Sequence, residues 1–96
     1  IVHKGAQTII ATPNEDVWLL DNATPWLASA GTGDCLAGLI GGLAAQSCAP
    51  LDACKMAVFL HAQIGVFIGA GLIADDIAPN IGAVLDIYAP DNLKRR

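Results

Sequence analysis

Charge is what this sequence has least of. Only 15% of its 96 residues are Asp, Glu, Lys or Arg, while 54% are hydrophobic; an average domain carries about 25% charged residues. A free-standing domain of this length buries only about 60–65% of its unfolded surface and needs a polar exterior. Two architectures fit the shortfall: a membrane protein, or part of a larger fold whose helices are covered by other chain. A basic stripe is also missing. With a formal net charge of −4, nothing is set out to neutralise phosphates along a strand, so a nucleic-acid partner is not expected. The one basic cluster, Lys94-Arg95-Arg96, reads as a solvated tail. Cys35, Cys48 and Cys54 match no metal or redox spacing and read as small apolar side chains of a reducing cytosol. There is no signal-peptide pattern, no internal repeat and no low-complexity segment. The chain opens on Ile1 in strand-like sequence, so it is expected to begin in mid-fold.

Ile1-Val2-His3 and Gln7-Thr8-Ile9-Ile10-Ala11 are β-prone runs. Thr12-Pro13-Asn14-Glu15-Asp16 is turn chemistry, which makes Val17-Trp18-Leu19-Leu20 the returning strand of a hairpin. Asp21 to Ala30 is a loop holding Pro25 and Trp26. From Thr32 to about Gln46 proline is absent and β-branched residues are few, so a helix opens at the glycines. Pro50 suits the first turn of a second helix, Leu51 to about Gly69, with Gly69 and Gly71 as its stop. Asp75 or Asp76 caps a third helix to about Tyr88, with Pro79 in or near its first turn.

Met56 to Ala74 carries no formal charge, and its length reaches the roughly 20 residues of a membrane-spanning helix. Against a span stand His61 and Gln63 in its middle, little Leu and Phe, and small residues near its end. A helix apolar all round is equally a buried helix of a larger protein. That is the reading preferred, with no membrane partner.

The stretch Ala28 to Gly42, ASAGTGDCLAGLIGG, has one charged residue, Asp34. Gly31-Thr32-Gly33 ahead of a helix lets the backbone turn left-handed and lets a ligand approach with no Cβ in the way. The unpaired amides of the first turn and the helix dipole then make an anion site, most naturally for phosphate. A carboxylate would repel that anion. Asp34 is therefore either a plain helix cap or a base facing a second ligand group, a hydroxyl whose proton it accepts.

The helix-opening Gly31-Thr32-Gly33-Asp34 resembles the hallmark of the ribokinase-like superfamily. Ala30 to Ile40 followed by Leu43-Ala44-Ala45-Gln46 resembles one branch of it, the ADP- or ATP-dependent NAD(P)H-hydrate dehydratases. Lys4-Gly5-Ala6-Gln7-Thr8 is similar to that family's K-G-x-x-T segment, Leu60-His61 with Gly65 to a later helix, and Gly71 to Ile77 to its G-L-x-A-x-D-[LI]. The resemblance implies a ribokinase-like three-layer α/β sandwich with a mostly parallel central sheet. Residues 1–96 would be the C-terminal part of that single domain, its hairpin strands and three helices.

It also implies an activity: nucleotide-dependent dehydration of the 6-hydroxy forms of NADH and NADPH, a cytoplasmic repair reaction of a carbon–oxygen lyase, with ADP or ATP, and Mg²⁺ on the nucleotide, as cofactors. Lys4, Gly5, Ala6, Gln7 and Thr8 match the nucleotide-contacting segment. Ala30, Gly31, Thr32 and Gly33 match the phosphate side, and Asp34 matches the residue at the hydrate, where it would be base and substrate contact; no metal ligand is carried over. NADH or NADPH hydrate is the expected partner, together with the rest of the domain upstream of Ile1 and a homo-oligomeric assembly.

Bland readings stand beside these: Lys4 as an exposed strand-end lysine, His61 as a core histidine, His3 as incidental and Trp18 as packing. Two departures from the family pattern bear on nucleotide choice. Thr24 and Trp26 stand where Asn and Gly are usual, so a ring sits near the nucleotide entrance to stack, close or block it; Val66 replaces an Asp after Gly65. The nearest alternative is a ribokinase-like kinase of a sugar or vitamin precursor, which keeps its phosphorylated product and is separated by assaying hydrated NADH against a sugar panel. A non-catalytic helical or membrane-associated module would instead need detergent and bind no nucleotide.

Overall fold

The computed structural model describes residues 1–5, 7–14, 16–20, 24–28 and 31–88. Ala6, Ala30 and the basic tail at Lys94 to Arg96 lie outside them. Three strands come first: β1 (Val2–His3), β2 (Thr8–Ala11) and β3 (Val17–Leu20). They form one antiparallel sheet in that order, with Val2 opposite Ile10 and Ile10 opposite Trp18. The hairpin turn closes on the Thr12 N–H, which donates to Asp16 O at 3.0 Å. Side chains alternate as a half-covered sheet requires. Thr8 and Ile10 are buried, whereas Ile9 on the other face is exposed, together with its cross-strand neighbour Leu19 and with Val17.

A 3-10 turn (Pro25–Ala28) leads to α1 (Thr32–Ala45), followed by α2 (Pro50–Ile68) and α3 (Ile77–Tyr88). Leu36, Leu39, Ile40 and Leu43 recur at helical spacing and bring α1 onto Ile10, Ala57 and Val58. Pro50 sits in the first turn of α2, where its missing N–H costs nothing. Gly69 ends that helix with φ 77°, its N–H on Gly65 O at 2.9 Å. Of the two residues expected to cap α3, Asp76 instead closes the turn before it: its Oδ2 accepts the Ile73 N–H at 2.9 Å. A short 3-10 turn (Ala74–Asp76) precedes the helix, and Pro79 falls in its first turn.

α2 is the central helix. It meets the sheet and α1 through Ala57 and Val58, and the turn and α3 through Leu60 and Ile64, which pack with Leu27, Leu72, Ile77 and Val84. It is long and apolar enough to cross a membrane, yet it lies packed between α1, α3 and the strands. The uncharged run from Met56 to Ala74 is not one helix, because α2 stops at Ile68. Trp18 packs without being buried: the residue is 41% exposed, and Lys55 Nζ stands 3.7 Å from its ring centroid.

Gly65 is where the turn before the glycine loop meets α2. A Cβ there would lie 2.6 Å from Thr24 Cγ2 and 2.9 Å from Leu27 Cγ. Gly65→Ala is therefore expected to destabilise the full-length protein by about 1–3 kcal/mol through overpacking, read as a lower denaturant midpoint at unchanged slope. Expressed alone, the 96-residue chain, with Val17, Leu19, Val66 and Phe67 all more than half exposed, is expected to show no cooperative thermal transition; a sharp one would contradict this.

Candidate functional site

The glycine loop opens α1 as the sequence suggests. Gly31 is the residue before the helix, at φ 86°, a left-handed conformation that side chains disfavour. It is also crowded, since a Cβ there would stand 3.1 Å from the Ala74 Cβ. The helical ladder begins with the Cys35 N–H on Gly31 O at 3.3 Å. Among the described residues, no acceptor takes the Gly33 or Asp34 N–H. Both residues are exposed, and a Cβ on Gly33 would meet nothing within 4 Å. The first turn therefore faces open space with the Asp34 carboxylate beside it.

Behind this opening the polar groups are closely tied. Lys4, just after β1, donates from Nζ to Thr32 Oγ1 at 2.8 Å and to Leu27 O at 3.2 Å. The Thr32 hydroxyl donates to the same Leu27 carbonyl at 2.6 Å. On the other side His61 of α2 meets Thr32 O with Nε2 at 2.9 Å. A carbonyl only accepts, so Nε2 carries the hydrogen. Thr32 is 1% and His61 3% exposed, and no buried side-chain N or O among the described residues lacks a partner. The Cys35 thiol reaches Ala74 O at 3.6 Å, which ties the turn before α3 to the same helix start.

The two motif segments, residues 4–8 and 31–34, are thus brought together by the Lys4–Thr32 bond. Within them the placements differ. Gly5, Gln7, Gly31, Gly33 and Asp34 are exposed, whereas the Thr8 and Thr32 side chains are buried. Thr32 can offer a ligand only its backbone. Lys4 is half-buried and bonded inward, not an exposed strand-end lysine. His3 is exposed. The residue that sequence reasoning set aside is His61. Its one signal was a polar ring in an apolar helix, which when buried must have a partner.

Residues 1–84 match the family described as NAD(P)H-hydrate dehydratase. The chain belongs to this family. It is 38% identical over 91 residues, 90% of its length, to the ADP-dependent (S)-NAD(P)H-hydrate dehydratase of Xanthomonas campestris, covering 32% of that protein. To the enzyme of the same name from Neisseria meningitidis it is 35% identical over 82% of its length, covering 29% of the relative. The bifunctional NAD(P)H-hydrate repair enzyme Nnr of Gloeobacter violaceus is 46% identical over 73% of this chain, which covers 14% of the enzyme. The chain thus spans about a third of the length of the dehydratase relatives it matches.

Burial pushes the His61 pKa down, the Thr32 carbonyl partly opposes this by accepting the ring N–H, and the nearby Lys4 cation lowers it further. Burial likewise lowers the Lys4 pKa, an effect that a thiolate at Cys35 would oppose. For His61 the unfolded chain binds the proton more readily than the folded one. Its contribution to stability is complete above the unfolded value of about 6.5 and is lost as pH falls below it, by at most about 1.4 kcal/mol per pH unit. Denaturant unfolding of the full-length protein at pH 7.5 and 5.5 should show this loss, and His61→Gln should remove that part of it.

Proposed function

We propose that the full-length protein carrying this chain uses ADP or ATP to dehydrate the 6-hydroxy forms of NADH and NADPH. The observation that carries the reading is the meeting of two family motif segments at the open first turn of α1. Lys4 is bonded to Thr32 at 2.8 Å, and Asp34 is exposed beside unengaged amides. The space in front of Gly33 is what a phosphate group needs, since a Cβ would meet nothing within 4 Å. Backbone amides and the helix dipole would hold the terminal phosphoryl oxygens there. The Lys4 to Thr8 segment, with Ala6 and Ala30 included from the motif, would form the rest of the nucleotide contact. The relatives' names favour ADP as the nucleotide.

In this reading Asp34 accepts the proton of the hydrate hydroxyl. The freed oxygen bonds to the terminal phosphorus as the bond to the nucleotide's bridging oxygen breaks. The phosphorylated oxygen then leaves the ring with its bonding pair, and proton loss from the adjacent carbon restores the double bond. Such transfer is mostly positioning and electrostatics. Mg²⁺ would accompany the nucleotide and offset charge on its phosphate oxygens. We place the chain in the C-terminal part of a ribokinase-like three-layer sandwich, in a cytoplasmic, homo-oligomeric protein. The apolar outer face of the hairpin supports further layers around it.

Asp34→Asn in the full-length protein tests the assignment. Loss of a positioned base should lower the dehydration rate by about 10²–10⁴ while ADP still binds. A variant within about tenfold of the parent, well inside that range, removes Asp34 from the role.

A further inference from the structure

Building on the nucleotide reading above, we propose that Thr32 is a positioning residue: its side-chain hydroxyl, turned into the protein, holds the Lys4 ammonium where it meets the nucleotide's phosphate oxygens. The hydroxyl touches no ligand in this scheme. Three heavy atoms form a closed triangle. Lys4 Nζ lies 2.8 Å from Thr32 Oγ1 and 3.2 Å from Leu27 O, and Thr32 Oγ1 lies 2.6 Å from the same carbonyl. The donor in each bond follows from the chemistry. An ammonium only donates and a carbonyl only accepts, while a hydroxyl has one hydrogen and also accepts. The Thr32 hydrogen therefore goes to Leu27, and its oxygen accepts from Lys4.

Two acceptors leave the ammonium a third N–H, directed away from both. Its charge is also unmatched. Among the described residues no carboxylate pairs with Lys4, and both of its acceptors are neutral. A half-buried cation held only by neutral groups carries a desolvation cost that an anionic ligand offsets. A lysine stem is long and flexible, so its charged head is placed only by what grips it. Of the two grips the hydroxyl is the shorter, and it sits on the first residue of α1. The open amides of Gly33 and Asp34 follow in the same turn. One residue thus fixes the cation relative to the amides, so that both meet one phosphate group in a set arrangement. A valine at position 32 would fill the same buried space and hold nothing.

The test is calorimetric binding of ADP to the full-length protein and to Thr32→Val, Thr32→Ser, Lys4→Met and the Thr32→Val, Lys4→Met double variant. This cycle isolates what passes between the two side chains. Thr32→Val keeps the shape, loses the hydroxyl and should weaken ADP binding roughly tenfold at an unchanged number of sites per chain. Thr32→Ser keeps the hydroxyl and should bind within about threefold of the parent. Lys4→Met should weaken binding at least as much as Thr32→Val does. Adding Thr32→Val to it should then change affinity by less than about twofold, because the group being positioned is already gone. If Thr32→Val is insoluble, Thr32→Ala, smaller and equally without a hydroxyl, takes its place in the cycle. Binding equal to the parent in the hydroxyl-free variant overturns the proposal. So does a serine variant as weak as the valine one. An undiminished loss on adding Thr32→Val to Lys4→Met overturns it too, since the effect would then lie in the fold and not in the ammonium. A parent that binds ADP but does not dehydrate NADPH hydrate sinks the dehydratase reading, while the cycle still decides the role of Thr32. A parent that binds neither ADP nor ATP sinks both.

Discussion

The arrangement depends on one threonine held from both ends. Thr32 is almost wholly buried, its hydroxyl taken by Lys4 and Leu27 and its carbonyl by His61. Four parts of the chain converge there: the end of β1, the turn before the glycine loop, the start of α1 and the middle of α2. Buried polar groups of this kind are costly unless every partner is supplied, and here they are. The consequence is a division within three residues. Thr32 is fixed into the protein, while Gly31 and Gly33 on either side are shaped for a backbone that presents amides outward. A glycine loop without such an anchor would be flexible where a phosphate site needs preorganised donors.

This division explains what could be read from the sequence and what could not. The elements were legible because their signals are local: turn residues at 12–16, Pro50 at the start of α2, Gly69 at its end, Asp76 before α3. Their placement needed no knowledge of distant chain. The open first turn of α1 and its exposed aspartate were legible for the same reason. The junction was not, because its bonds join residues far apart in sequence, and Lys4 and His61 each had an ordinary local reading. Lys4 looked like either a ligand contact or a surface lysine; it is an internal donor first. The Lys55 contact of Trp18 was hidden for the same reason: strand context suggested packing, while its partner lies on α2, far along the chain.

Two of the departures from the family pattern flank Gly65, Thr24 in space and Val66 in sequence. Thr24 lies in the turn before the glycine loop and Val66 follows Gly65 in α2. The structure sets the Thr24 methyl against Gly65, where even one added carbon would collide. The loop can therefore shift here only if α2 lets it. Trp26, in the same turn, is 43% exposed. Its position follows from how Thr24 and Leu27, on either side of it in the chain, seat on Gly65.

The shortage of charge and the pattern of exposed surface have the same physical origin. Ile9, Val17 and Leu19 share the outer sheet face, and burying such side chains is worth about 1.5–3 kcal/mol each. On α1, Gly38, Gly41 and Gly42 are exposed and a Cβ at each would meet nothing within 4 Å. Each glycine in a helix costs about 1 kcal/mol relative to alanine. Nothing among the described residues offsets either penalty. A helix with a bare glycine face gains when another backbone comes close to it, and an apolar sheet face gains when a layer covers it. The sequence thus accepts local instability at surfaces that further layers would cover, and gathers several of its polar interactions on Thr32.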